Sequence, residues 1–106
     1  SHLYETDLVE AEAIGQTECF TGALQFARTE GIVPAPEPTH AIAAAIREAN
    51  RAKEAGEERV ILTALCGHGH LDLAAYESFL SGEMVDYDLS DDAIAEAMAQ
   101  VPVIDA

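Results

Sequence analysis

The sequence predicts an α/β fold of two to three strands with flanking helices. Three observations predict it. Val60-Ile61-Leu62-Thr63-Ala64-Leu65 is an apolar run of strand length. It is apolar on both faces, as in a strand buried between helices of a parallel sheet. Val9-Glu10-Ala11-Glu12-Ala13-Ile14 alternates apolar and acidic residues, the period of a strand with one wet face. The intervening and following segments carry apolar residues at helical spacing, and strands alternating with helices define the α/β class.

Each element has its own local reasons. Leu3, Tyr4 and Leu8 lie at helical spacing in a segment with no start signal. From Thr17 to Thr29, Phe20, Ala23, Leu24 and Ala27 form one helical stripe. Thr17 is the expected N-cap and Gly31 the left-handed residue beyond the C-terminus. In Gly31-Ile32-Val33-Pro34-Ala35-Pro36-Glu37-Pro38, three alternating prolines hold the chain extended, and Ile32-Val33 is the candidate third strand. Pro38 can open the next helix, because its missing N–H is not needed there. That helix runs to about Ala55 with Ile42, Ala45, Ile46 and Ala49 inward, and Gly56 closes it. Asp72 caps a helix with Leu73, Tyr76, Phe79 and Leu80 inward, ended by Gly82. A last short helix spans Asp91 to Gln100 and stops at Pro102.

A chain of 106 residues is the size of one domain and can bury roughly two-thirds of its unfolded surface. Five Lys plus Arg against twenty Asp plus Glu give a net charge of -15. Phosphate contacts need cations, so this balance argues against nucleic acid and against an anionic membrane surface. No apolar run approaches a membrane span and no signal peptide is visible, so a cytoplasmic protein is expected. The acidity is distributed and the single lysine is Lys53, a composition that fits a proteome adapted to high salt. Cys19 and Cys66 form no CxxC motif, and both sit in apolar stretches that favour reduced, buried thiols.

The strongest local feature is the strand, glycine turn and helix from Val60 to Leu80. Loops beyond the carboxyl ends of parallel strands are where α/β proteins bind ligands. Gly67 and Gly69 let a backbone come close to a ligand, and phosphate capture at the turn is one reading. The other is a turn that needs left-handed glycines, and Asp72 would repel a phosphate. His40, His68 and His70 suggest metal, but zinc sites need three or four ligands at recognisable spacing, and no metal site is expected. Glu37, between Pro36 and Pro38, is either a rigidly positioned acid, base or orienting group or a carboxylate favoured by a helix N-terminus. Glu54, Glu57 and Glu58 read as solvated surface.

Arg28-Thr29-Glu30-Gly31-Ile32-Val33-Pro34-Ala35-Pro36-Glu37-Pro38-Thr39-His40-Ala41-Ile42 resembles the late part of tryptophan synthase beta chains, most closely the second type. Leu65-Cys66-Gly67-His68-Gly69-His70-Leu71-Asp72-Leu73 is similar to the family's Leu-Ser-Gly-X-Gly turn. The two strings stand in the family's order and near its spacing. The resemblance implies a fragment of the large domain of a pyridoxal-phosphate enzyme of the beta family (fold type II), with residues 1–106 as a single C-terminal segment of that domain. It implies a parent lyase of tryptophan biosynthesis that joins L-serine and indole into L-tryptophan by β-replacement.

Carried over residue by residue, Cys66 falls where the family hydrogen-bonds the pyridine nitrogen, and Glu37 on the glutamate beside the cofactor ring. Gly67 and Gly69 shape the turn beneath it, and His68 and His70 line its edge. A neutral donor leaves the ring nitrogen largely unprotonated, which favours β-replacement over transamination. Cys66 departs from the family's serine, and a thiol is the poorer donor. The Schiff-base lysine, phosphate loop and catalytic carboxylate of the family have no counterpart here, and Lys53 lies on the outer side of its helix beside Glu54 and Glu57. No catalytic residue is therefore expected within this chain, which alone is expected to be inactive. The alternative is a stand-alone, non-catalytic α/β module for binding or self-association. Either way, bare sheet edges predict homo-oligomerisation.

Overall fold

The computed structural model describes residues 2–87 and 90–101. It corrects the expected fold class: the described residues form helices joined by extended chain, with no sheet. The helices are α1 (His2–Glu5), α2 (Gln16–Glu30), α3 (Pro36–Ala55), α4 (Leu73–Leu80) and α5 (Asp91–Ala99), with a 3-10 turn at Gly69–Leu71 before α4. The residues read as strands are extended, yet the only β-pairing among the described residues is an isolated antiparallel bridge between Pro34 and His68. A strand exists through ladder hydrogen bonds to a neighbour, and no such bonds reach 9–14 or 60–65 among the described residues. Val60 and Leu62, expected inside a sheet, are fully exposed. The sheet edges through which the sequence predicts self-association are likewise absent among the described residues.

The helices follow the sequence closely. Gly31 and Gly56 both take left-handed backbone, φ 70° and 68°, and end α2 and α3. Their amides return to Ala27 and to Ala52 and Lys53 carbonyls. Helix α3 begins at Pro36 rather than Pro38, so Glu37 lies in its first turn. Ala49, Leu73 and Leu80, expected inward, are exposed. The start of α2 differs more. Its N-cap is Gly15, and the capping side chain comes from far along the chain. The Asp86 carboxylate accepts from the Thr17 amide at 2.9 Å and from the Thr17 hydroxyl. Those bonds hold its pKa below the ordinary aspartate value. In α5 the Ser90 hydroxyl accepts from the Ala93 amide, while the expected stop at Pro102 lies outside the described residues.

Helices α2 and α3 pack through a close crossing. Gly22 faces Ala43, and a Cβ at 22 would lie 3.6 Å from the Ala43 Cα. The small core is Phe20, Ala23 and Tyr76, ringed by Leu24, Val33, Ala75, Phe79 and Met84. Phe20 meets the Tyr76 ring edge-on at 5.0 Å and stacks near Phe79 at 5.6 Å. The radius of gyration is 17.0 Å, against about 13 Å for a compact domain of this length. An α2/α3 pair with one aromatic cluster leaves much apolar surface uncovered.

The arginines bind the extended N-terminal segment to α3. Arg47 makes a bidentate pair with Glu18, both bonds 2.6 Å, and reaches Glu12 at 3.2 Å. Arg51 joins the other Glu12 oxygen at 2.8 Å and Glu48 at 3.2 Å. Arg59 pairs with Glu48 and Glu57. Hydrogen bonds from these arginines hold Glu12, Glu18 and Glu48 below the ordinary glutamate value of 4.5. Because the folded pKa values are lowered, the stabilisation is complete above the unfolded value. It is lost as pH falls through the folded values. The thermal midpoint is expected to drop on acidification below about pH 4.5, and less steeply in Arg47→Gln. An equal slope in both proteins would remove the network as the cause.

Candidate functional site

The turn after the extended run 60–65 and the proline segment meet at the single bridge. The Ala35 amide donates to the Gly67 carbonyl at 3.1 Å, and the Gly69 amide to the Val33 carbonyl at 2.8 Å. Prolines allow this pairing because Pro34 lies between the two bonded positions, where its missing N–H costs no ladder bond. The bridge therefore stitches two segments more than thirty residues apart into one unit.

The four cofactor-contact residues named from sequence lie on or next to this seam. Cys66 immediately precedes Gly67, whose carbonyl is bonded. Its thiol is free and exposed, contrary to the expectation of burial. Glu37 lies two residues beyond Ala35, the donor of that bond, and is exposed at the start of α3. Gly67 takes φ 147°, a conformation that side-chain-bearing residues rarely adopt. Gly69 is buried, and a Cβ there would lie 2.5 Å from the Pro34 carbonyl oxygen. Glycine at 69 is thus required by close backbone approach, not by a positive φ.

The histidines make local contacts. His68 Nδ1 accepts from the His70 amide at 3.3 Å and the two rings lie 4.7 Å apart. His40 Nδ1 is 3.2 Å from the Glu37 carbonyl oxygen. No cluster of three or more metal-ligating side chains occurs among the described residues. Cys19 is buried within the α2/α3 pair, and desolvation pushes its thiol pKa up, so it stays a protonated thiol. Lys53 is exposed near the end of α3.

Sequence reasoning missed Tyr76 as more than a core residue. Its hydroxyl donates 2.6 Å to the Pro34 carbonyl across 42 positions of chain. Burial pushes its pKa up, which keeps it a donor. A tyrosine on the inner face of a helix that follows a glycine turn was the available signal, since a buried hydroxyl requires a partner.

A second feature is an apolar groove of about 280 Å³ between α2, α3 and the extended run, lined by Phe26, Ile42, Ile46, Ala49 and Ile61 among others. No described helix is long and apolar enough to cross a membrane.

No family model matches the chain. Individual proteins match it strongly. The tryptophan synthase beta chain 2 of Aquifex aeolicus is 58% identical over 84 residues, 79% of this chain and 19% of that protein. The protein of the same name from Thermotoga maritima is 59% identical over 76 residues, 72% of this chain and 18% of that protein. That of Pyrococcus furiosus is 47% identical over 102 residues, 96% of this chain and 23% of that protein. The chain thus spans about a fifth of the length of the curated relatives it matches. Over that stretch, it belongs to the family of tryptophan synthase beta chains of the second type.

Proposed function

We propose that this chain is the C-terminal segment of the cofactor-binding domain of a tryptophan synthase beta chain, which makes L-tryptophan from L-serine and indole in the cytoplasm. The observation that carries the reading is 58% identity over 84 residues with a protein of that name. The Ala35–Gly67 bond supports it, because it ties the two strings that bear Cys66 and Glu37.

The residues present fit pyridoxal phosphate as hydrogen-bonding groups, Cys66 as a donor and Glu37 as an acceptor. Cys66 offers a free, exposed thiol as a neutral hydrogen-bond donor to the ring nitrogen. Glu37 offers a carboxylate at the ring edge, held at the first turn of α3. The Gly67-His68-Gly69 backbone makes the floor of the turn. When bound, the cofactor supplies the electron sink for loss of the α-proton and hydroxyl of serine and for attack by indole. Lys53 does not serve as its anchor, being exposed beside Glu54 and Glu57. The anchor lysine and the phosphate loop belong to the rest of the parent, and these 106 residues alone are inactive.

The test uses the full-length beta chain. It is expected to form tryptophan from serine and indole with pyridoxal phosphate supplied, while the 106-residue chain forms none. Cys66→Ser, with the stronger hydroxyl donor, is expected to keep or raise the rate, and Cys66→Ala to lower it by about tenfold. A full-length protein that holds the cofactor and makes no tryptophan would defeat the assignment. The exposure of Val60 and Leu62 favours a second reading, a non-catalytic module that self-associates. That reading requires the isolated chain to be larger than a monomer in light scattering.

A further inference from the structure

We infer that Tyr76 is a positioning residue for the Cys66 and Glu37 pair. It acts through the Pro34 carbonyl, and the inference rests on the functional reading above. The proline segment and the glycine turn share only two backbone hydrogen bonds, from Ala35 and Gly69. Two bonds leave a short bridge free to shear or open, so a third constraint must hold the register.

Tyr76 supplies it. Its hydroxyl donates 2.6 Å to the Pro34 oxygen, and both residues are buried. That oxygen is enclosed on a second side as well. A Cβ at Gly69 would meet the Pro34 oxygen at 2.5 Å, the Val33 Cγ1 at 3.0 Å and the Tyr76 Cε2 at 3.1 Å. The proline segment, the turn and α4 therefore interlock at one carbonyl. The Tyr76 ring is in turn fixed edge-on against Phe20. Pro34 is three residues from Glu37, and its bridge partner His68 is two from Cys66. A shift of the Pro34 carbonyl moves Glu37 relative to Cys66. Misplacement of about 1 Å can cost ~10²-fold in rate.

Tyr76→Phe in the full-length beta chain removes the hydroxyl and keeps the ring. Hydrogen exchange at the Ala35 and Gly69 amides is expected to accelerate about five- to tenfold, by roughly the worth of one buried hydrogen bond. Amides within α2 and α3 should keep their protection. The kcat/KM for L-serine is expected to fall roughly ten- to a hundredfold, and the visible absorbance of the bound cofactor to shift. Unchanged exchange at Ala35 and Gly69 overturns the inference whatever the rate. Accelerated exchange with unchanged kcat, KM and absorbance also overturns it, leaving Tyr76 a structural residue. If the wild-type protein makes no tryptophan, the functional reading fails, and the exchange and absorbance changes still decide whether Tyr76 sets the seam around the cofactor.

Discussion

Phe20→Ala is expected to destabilise the full-length protein by about 4 kcal/mol in urea unfolding. Phe20 is 1% exposed and is the largest fully buried side chain of the segment. Its removal loses the transfer free energy of an aromatic ring and leaves a cavity that few neighbours can fill. The cluster around it is small: Ala23 has no reach, while Tyr76 is held by its own hydrogen bond to Pro34. The edge-on contact with Tyr76 adds about 1 kcal/mol beyond area alone. Phe20→Leu retains most of the volume and is expected to cost about 1.5 kcal/mol. Equal losses for the two variants would mean that the site collapses freely and that the aromatic cluster is not the core.

Gly69→Ala is expected to cost about 3 kcal/mol and to abolish most of the activity proposed for the full-length protein. The added methyl would lie 2.5 Å from the Pro34 oxygen and 3.0 Å from Val33. The first is a backbone atom and cannot rotate away. The bridge must open, breaking the Gly69–Val33 bond or the Tyr76–Pro34 bond, and the seam next to Cys66 opens with it. Gly31→Ala provides the contrast. A Cβ there meets nothing within 4 Å, so its cost is only that of a left-handed backbone, about 1 kcal/mol. A Gly69→Ala protein as stable and active as wild type would show that the seam tolerates a wider approach.

The candidate site was legible through two strings, one around Glu37 and one around Cys66, because their residue types and order resemble a family. Their juxtaposition was not legible, since nothing local states that the Ala35 amide meets the Gly67 carbonyl. Burial was misjudged where composition stood in for environment. Cys66 and the run from Val60 to Leu65 are apolar in sequence, yet exposed among the described residues.

The sequence by itself determined where the helices lie and the glycine ends of α2 and α3. Helix periodicity and left-handed glycine act over one or two turns, and Gly31 and Gly56 behave as their local chemistry requires. Only the tertiary structure decided which extended segments pair, that Asp86 caps α2 across 69 positions, and that Tyr76 secures Pro34 across 42. Pairing and buried hydrogen bonds depend on groups far apart along the chain. Their free energy is set by which surfaces meet, and no local propensity encodes that.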